Sequence, residues 1–390
     1  MLIKLALRNL IGAGLRTWLN VFVTSLSFVM IIFSSGMYKG MIEHARRVII
    51  DTEIAGGAYW HPAYDPRDPL SLDESHGSPP GPVSAQVAVG QATPVLVILG
   101  SAYPNGRMVP AMIRGIPPGQ QAVTMPTAAL AAYTGAAIPV LIGTGMAAST
   151  GLKRGDRFTL RWRDDSGTYD ADQAEVVSIM STENFKLDRG QFWVPLDRLQ
   201  SMTNMAGEAS YVVLNVGAEV LENPGGWPTR DVDYLTRDIT QAVEADQAYA
   251  RTLYGILLAL AGMGIFNSQA LSIFRRRKEI GTLMALGMNR SRIIALFTTE
   301  GGFHSLLAMA LAAAYGGPLL WLSTASGIPL PYDAEAVGFV IGKRLIPAYP
   351  LGLLMGTVVL VTAVVTIVSY LPARRIAKLK PTEALSGRTN

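Results

Sequence analysis

The sequence predicts an α-helical membrane protein with four transmembrane helices and a large mixed α+β extracytoplasmic domain between helices 1 and 2. Three observations support this fold class: four long apolar blocks, basic residues gathered at one set of block ends, and a polar stretch with strand and turn patterns. The chain of 390 residues is 49% hydrophobic and only 16% charged, whereas soluble domains average about 25% charged residues.

The four apolar blocks are each long enough for a membrane helix, which needs about 20 residues. The predicted spans cover residues 18–38, 251–274, 293–322 and 350–371. Their apolar cores contain no Lys, Arg or Asp, and Glu300 is the one acidic residue within them. The first block could instead be a cleaved signal peptide, but its length exceeds the roughly 7–15 apolar residues of such peptides. We therefore expect a retained anchor.

The basic residues that flank the blocks predict the orientation. They fall before the first span, between the second and third, and after the fourth: Lys4, Arg8, Arg16, Arg275, Arg276, Arg277, Lys278, Arg290, Arg292, Arg374, Arg375, Lys378 and Lys380. A four-span topology places all three segments on one side, which the positive-inside rule identifies as cytoplasmic. We expect a multi-pass inner-membrane protein with both termini in the cytoplasm.

The remaining segments follow from this topology. Residues 39–250 form the extracytoplasmic (periplasmic) domain and residues 323–349 a short outer loop. Residues 275–292 form a cytoplasmic loop and residues 372–390 a cytoplasmic tail. Residues 1–17 are amphipathic, and they lie either along the inner membrane face or at the end of the first spanning helix. The acidic excess of the outer domain argues against a nucleic-acid partner.

Alternating apolar residues and turn sequences predict the elements of the outer domain. The expected strands are Val87–Val89, Val95–Leu99, Arg157–Arg163, Glu175–Met180 and Tyr211–Val216. Asp164–Gly167 is a hairpin turn, Tyr64–Pro82 a loop, and Asp231–Arg251 a helix that continues into the second span.

The sequence offers little for catalysis. It has no cysteine, so disulfides and cysteine metal sites are excluded. The closest approach to a phosphate-binding loop is Gly143–Arg154, which lacks the Gly-Lys-Ser/Thr ending and is expected to be a strand-to-helix turn. His61 and His76, with Asp65 or Asp68, do not have the spacing of a recognised metal site. We expect no enzyme activity, no metal and no catalytic residue.

The loop between the second and third spans carries the most informative pattern. Its sequence predicts a short helix over Glu279–Leu286 that ends at Gly287, with Asn289 or Ser291 capping the next helix. Ile280, Leu283, Met284 and Leu286 would form an apolar face that docks a partner. The alternative is a juxtamembrane loop with basic anchors.

Several motifs, in the right order along the whole chain, resemble the MacB/FtsX-like ABC transporter permeases. The general ones are Ala6–Leu10, Glu279–Gly281, Ala285–Gly287, Leu371–Arg375 and Leu379–Leu385. Outer-domain motifs are similar to the lipoprotein-releasing LolC/LolE-type branch: Gly115–Pro118, Ile142–Gly143, Gly151–Asp156 and Phe192–Leu196. Pro117 departs from that branch, which more often has Asp there.

The resemblance implies a permease that works by mechanotransmission, in which a separate ABC ATPase dimer drives the outer domains. ATP and Mg would bind the ATPase, and no cofactor would bind this chain directly. Other implied partners are a second permease subunit, membrane lipids and a periplasmic chaperone or adaptor. The ATPase-coupling residues would be Glu279, Ile280, Gly281, Leu283, Met284, Ala285, Leu286 and Gly287. A substrate or lipid cavity would be lined by Phe28, Ile31, Ile32, Met263 and Phe266.

Three polar residues stand out inside the predicted spans, where such groups are costly and often functional. Glu300 and His304 lie four residues apart on one face of the third helix, where we expect a structural or coupling role. Asn267 is expected to form a hydrogen bond across the bundle.

The expected function is release of lipoproteins or a related amphiphile from the inner membrane. Alternatives are a MacB-type export permease, an FtsX-type regulator of an extracytoplasmic partner, and a membrane-anchored binding protein without an ATPase. Deletion of Glu279–Gly287 distinguishes the last: if partner binding and function survived, the ABC transporter interpretation would fail.

Overall fold

The computed structural model describes residues 14–182, 184–329 and 344–376. Their α-helices are α1 (Gly14–Ile49), α2 (Gly81–Ala88), α3 (Ala128–Ala131), α4 (Thr144–Thr150), α5 (Phe185–Asp188), α6 (Leu196–Thr203), α7 (Val232–Leu235), α8 (Arg237–Arg275), α9 (Arg277–Ala285), α10 (Arg290–Ser326) and α11 (Leu351–Ile376). Their strands are β1 (Ala58–Trp60), β2 (Ala92–Tyr103), β3 (Val109–Ile116), β4 (Ile138–Gly143), β5 (Arg157–Arg163), β6 (Tyr169–Met180), β7 (Gln191–Pro195), β8 (Tyr211–Leu214), β9 (Thr229–Arg230), β10 (Ile328–Pro329) and β11 (Arg344–Leu345). The chain divides into two compact units.

The first unit is a helical bundle. Within the described residues, four helices are long and apolar enough to cross a membrane: α1, α8, α10 and α11. Each predicted span overlaps one of them. Their shared core draws on all four helices: Val21, Phe28, Val29, Ile31, Leu258, Ile265, Ala308, Ala312, Val361 and Val365. A core of this kind explains why each helix buries one stripe and exposes the rest of its apolar surface.

Hydroxyl groups add polar contacts between helices of this bundle. Ser25 on α1 lies 3.3 Å from the Tyr315 hydroxyl on α10. The Ser305 hydroxyl on α10 donates to Thr362 on α11 at 3.3 Å. Small hydroxyl side chains let helix backbones approach closely, and they satisfy their own polar groups within the bundle.

The second unit is built on a nine-stranded sheet with the order β3-β7-β4-β6-β5-β2-β8-β1-β9. Because β2 also pairs with β3, six strands close into a ring, and β8, β1 and β9 extend it from β2. Alternate residues of the ring fill its interior, where Ile113, Leu160, Val176 and Phe192 are fully buried. Closure removes the free edges of these six strands.

Several predicted elements of the outer domain are confirmed. Arg157–Arg163 is a strand whose side chains alternate between buried and exposed, and it forms a hairpin with β6. Asp164 holds the turn by accepting a hydrogen bond from the Thr168 amide at 2.6 Å. Val95–Leu99 lies within β2, and Tyr211–Leu214 is a strand that ends two residues before the predicted limit.

One prediction for this domain is wrong, and another holds only in part. Val87–Val89 is not a strand, because α2 runs through Ala88. Pro82 in the first turn of α2 favours the helix, which buries Val83 and Gln86. The helix predicted over Asp231–Arg251 is interrupted, since α7 ends before Thr236 and α8 begins at Arg237.

Parts of the predicted organisation lie outside the described residues. These are most of the amphipathic segment 1–17, residues 330–343 of the predicted outer loop 323–349, and most of the tail 372–390. The motif Leu379–Leu385 lies in that tail.

Candidate functional site

The candidate site is the loop between α8 and α10, which contains the short helix α9. The helix ends as the sequence predicts. Gly287 has φ +88°, and its amide donates to the Met284 carbonyl at 3.0 Å while the Met288 amide donates to Leu283 at 3.0 Å. This pair of bonds is a Schellman motif, which requires a left-handed residue after the helix. Asn289 then caps α10 by accepting from the Ser291 amide at 3.4 Å.

The apolar face of α9 is divided between core and surface. Ile280 is buried in a cluster with Ile273 of α8, Ile293 and Phe297 of α10 and Ala373 of α11. This cluster ties the short helix to three long helices. The predicted docking face is therefore only partly available.

The remaining coupling residues differ in exposure. Gly281 is buried, and Leu283 and Met284 are half-buried. Glu279, Ala285 and Gly287 are exposed, and Leu286 has 80% of its surface exposed. An exposed leucine beside a helix end is the feature of this loop best suited to contact another protein.

An ion pair joins the loop to α10. Arg276, between α8 and α9, donates from Nη1 to the Glu300 carboxylate at 3.2 Å and from Nε to Glu279 at 2.8 Å. Its guanidinium also lies 5.3 Å from the centre of the Phe297 ring. Glu300 is only 5% exposed. A buried carboxylate without such a partner is strongly disfavoured, so Arg276 is what makes Glu300 tolerable at this position.

His304 and the neighbouring polar residues are also placed by the structure. His304 is buried, but its Nδ1 lies 3.0 Å from the Glu300 backbone carbonyl and the pair does not share the carboxylate. Gly301 faces Ser369 of α11 with no space for a β-carbon. Asn267 is exposed, whereas Gln269 of the same helix is buried, and the hydrogen bond of Asn267 across the bundle stays a prediction.

The residues predicted to line a lipid cavity do not share one surface. Phe28 and Ile31 are buried in the bundle core, whereas Ile32 and Phe266 are half-buried and Met263 is 65% exposed. The apolar sequence of α1 gave no means of separating core from surface positions. Phe28 and Ile31 pack within their own bundle here.

The segments considered for phosphate or metal binding have other partners in the structure. Strand β4 ends at Gly143 and α4 begins at Thr144, so the strand-to-helix turn predicted at Gly143–Arg154 is confirmed. The start of α4 is already occupied by the Asp188 carboxylate, which accepts hydrogen bonds from the Thr144 hydroxyl at 2.9 Å and the Gly145 amide at 2.6 Å. His76 pairs with Glu208 at 2.5 Å. No group of three or more metal-ligating side chains occurs among the residues that the structure describes.

The pairing of Arg276 with Glu300 is not predictable from the sequence, where this arginine belongs to the basic residues that set orientation. The two residues are 24 positions apart in sequence, and no spacing pattern connects them.

Comparisons with known proteins bear on this loop and the helices around it. The family model for the FtsX-like permease C-terminal region matches residues 251–381. An uncharacterized ABC transporter permease of Methanocaldococcus jannaschii is 31% identical over 156 residues, which is 40% of this chain and 36% of that protein. The macrolide export ATP-binding/permease protein MacB of Rhodopirellula baltica is 27% identical over 172 residues, 42% of this chain and 22% of that protein.

These matches cover well under two thirds of the relatives' own length. Among solved structures, the extracellular domain of the noncanonic ABC-type transporter YknZ from Gram-positive bacteria aligns with 42% of this chain and 83% of its own. That alignment has 14% identity and a TM-score of 0.26. Residues 251–381, which include the loop with the Arg276–Glu300 pair, thus match the FtsX-like permease C-terminal region, and the chain is similar in sequence to ABC transporter permeases that include MacB proteins.

Proposed function

We propose that this chain is the permease subunit of an ABC transporter of the FtsX/MacB type, situated in the inner membrane with both termini in the cytoplasm. The observation that carries the proposal is the anchoring of α9 within the FtsX-like domain. A buried ion pair and a buried apolar cluster fix this helix to α8, α10 and α11, while Leu286 faces outward. Such a helix can receive force from a bound ATPase and pass it to the bundle.

The proposed mechanism is mechanotransmission. Closure of an ATPase dimer on ATP and Mg would displace α9, and Arg276 and Ile280 would carry that displacement to the long helices. A rigid, packed connection transmits displacement because it cannot deform continuously. Helix α8 ends at Arg275, directly before the loop, and begins at Arg237, shortly after α7 of the outer domain.

The test is complex formation with a candidate ABC ATPase subunit that is co-expressed with this chain. Leu286→Asp should abolish co-purification of the tagged permease with the ATPase, because it puts a charge on the docking surface. Leu70→Asp is the matched control, since Leu70 is 84% exposed in the outer domain. If Leu286→Asp binds the ATPase as tightly as wild type does, the docking assignment is wrong.

Two alternative cargoes are proposed. The similarity to macrolide export MacB proteins favours export of a macrolide or a related compound, with a second permease copy and an outer adaptor as partners. The outer-domain motifs Gly115–Pro118 and Phe192–Leu196 favour release of lipoproteins or related amphiphiles, with a chaperone as acceptor. Release of a triacylated lipoprotein from nanodiscs that contain permease and ATPase distinguishes the two hypotheses. ATP should release the lipoprotein only if the second hypothesis is correct.

A purely regulatory role is the third outcome of the same assay. ATP hydrolysis without movement of either cargo would instead support an FtsX-type regulator, and the transport proposal would fail.

A further inference from the structure

The outer domain contains a cavity of about 400 Å³, a volume within the range of about 300–1,000 Å³ typical of small-molecule sites. Its walls come from the segment 49–67, strands β8 and β9, and the residues around α7. They include four aromatic side chains, Trp60, Tyr64, Tyr211 and Tyr234. All of its lining residues belong to the second unit.

The carboxylates in the cavity wall are already engaged. Asp238 accepts two hydrogen bonds from Arg67, at 2.6 and 2.7 Å. The Asp65 carboxylate accepts from the Arg67 amide at 2.9 Å. Glu53 lies 3.7 Å from the buried Arg114 and accepts from Asn184 at 3.4 Å. These acids are therefore poorly placed to bind a cationic ligand.

Arg114 is the buried cation that pairs with Glu53. It is 5% exposed, and its Nη1 donates to the Tyr211 hydroxyl at 3.0 Å. Burial alone lowers the pKa of Arg114, but Tyr211, Tyr64 and Glu53 outweigh it and raise that pKa. Burial also raises the pKa of the Tyr211 hydroxyl, so the wall keeps a neutral phenol beside a permanent cation.

Two cations in the wall have no carboxylate partner among the described residues. Arg230 stacks 5.3 Å from the Trp60 ring centre and 4.4 Å from the Tyr234 ring centre. Its Nε is buried without a hydrogen-bond acceptor. Lys186 also lines the cavity and is exposed. The Arg230 side chain as a whole is only half-buried and lines the cavity, so its other N–H groups can donate to an acceptor that a ligand supplies.

The rest of the wall favours a ligand with an apolar body. Ile49, Ile54, Leu235 and Ile239 line the cavity together with the aromatic rings. Because Arg230 already occupies the faces of Trp60 and Tyr234, these rings do not offer a site for a second cation.

We propose that this cavity binds a small organic anion, a carboxylate or phosphate attached to an apolar body. Arg230 and Lys186 hold the anionic group, and the aromatic and aliphatic side chains cover the body. The assignment stands on the outer domain alone and does not depend on the transporter proposed above. A free metabolite and a lipid headgroup share this chemistry.

The test is calorimetric titration of the full chain in phosphatidylcholine nanodiscs with phenyl phosphate. Wild type should bind saturably, and Arg230→Gln should weaken binding about tenfold or more, as expected for loss of a charge-assisted hydrogen bond. Inorganic phosphate, which lacks the apolar body, and phenol, which lacks the anion, should each bind more weakly.

The matched control is Arg198→Gln, because Arg198 is an exposed arginine of the same domain that pairs with Asp172 and does not line the cavity. It should leave the affinity unchanged. Lys186→Gln serves as a second variant if Arg230→Gln does not fold, and it should weaken binding severalfold.

Absence of saturable phenyl phosphate binding to wild type, or an affinity unchanged in both folded cavity variants, would overturn the proposal. Repeating the titration in nanodiscs with phosphatidylglycerol distinguishes the ligand sources. Weaker apparent binding there supports occupancy by a lipid headgroup, and unchanged binding supports a free anion.

Discussion

Replacing Glu300 with glutamine and Arg276 with glutamine, singly and together, measures the connection between α9 and the bundle. The Arg276 Nη1 and Glu300 Oε2 atoms are 3.2 Å apart, which corresponds to about 5 kcal/mol at an effective dielectric constant of 20. Arg276 is partly exposed and keeps Glu279 as a second partner. The coupling free energy should therefore be smaller, about 2 kcal/mol.

The assay is a double-mutant cycle on the free energy of unfolding, measured by titrating the four purified proteins with dodecyl sulfate in mixed micelles. Each single substitution leaves one charged side chain without its main partner. The two single losses of unfolding free energy should therefore add up to more than the loss caused by the double substitution. The same four proteins should be compared for ATP hydrolysis by the bound ATPase. Weaker anchoring of α9 should reduce the hydrolysis that the permease stimulates.

A coupling free energy below about 0.5 kcal/mol would refute this reasoning, because it is the value expected of independent sites. Normal stimulation of ATP hydrolysis in Glu300→Gln would separately contradict the role of the pair in force transmission. The substitution Glu279→Gln is the matched control, since Glu279 contacts Arg276 but is 64% exposed.

Two further predictions concern packing and pH. Gly301→Ala should destabilise the bundle by about 1–3 kcal/mol, because its β-carbon would overlap Ser369. The control Gly317→Ala lies on the same helix with nothing within 4 Å of its β-carbon, and it should not destabilise the bundle. Equal effects of the two substitutions on unfolding in dodecyl sulfate would contradict the packing. Burial, followed by the nearby His76, lowers the pKa of His61, against a smaller opposing effect of Glu208. The unfolded chain thus binds this proton more readily, so His61 should favour the folded domain above pH about 6.5 and destabilise it as the pH falls below that value. Thermal unfolding of wild type should then decline more than that of His61→Gln between pH 7.5 and 5.5, and parallel curves would contradict it.

Local patterns predicted much of the fold because the forces behind them act over a few residues. The apolar block lengths located the four long helices. Gly287 located the end of α9, since a left-handed residue is needed there, and the alternation of Arg157–Arg163 located β5. The failure at Val87–Val89 has the same origin: three apolar residues fit a strand or a helix, and burial of Val83 decided for the helix.

The candidate site was predictable only in part. The sequence singled out the loop from Glu279 to Gly287 and the isolated carboxylate of Glu300. It did not connect them, because an ion pair across 24 residues depends on how helices pack.

The sequence by itself thus determined the four long apolar helices of the described residues, the position and end of the short helix α9, and four strands of the outer domain, β2, β5, β6 and β8. These features follow from hydrophobic length, periodicity and turn residues within single segments. The tertiary structure alone decided that Ile280 is buried while Leu286 is exposed, that Arg276 neutralises Glu300, and that Arg230 lines a cavity without a carboxylate partner among the described residues. Burial and pairing depend on what distant segments bring to the same place, and no local pattern encodes that.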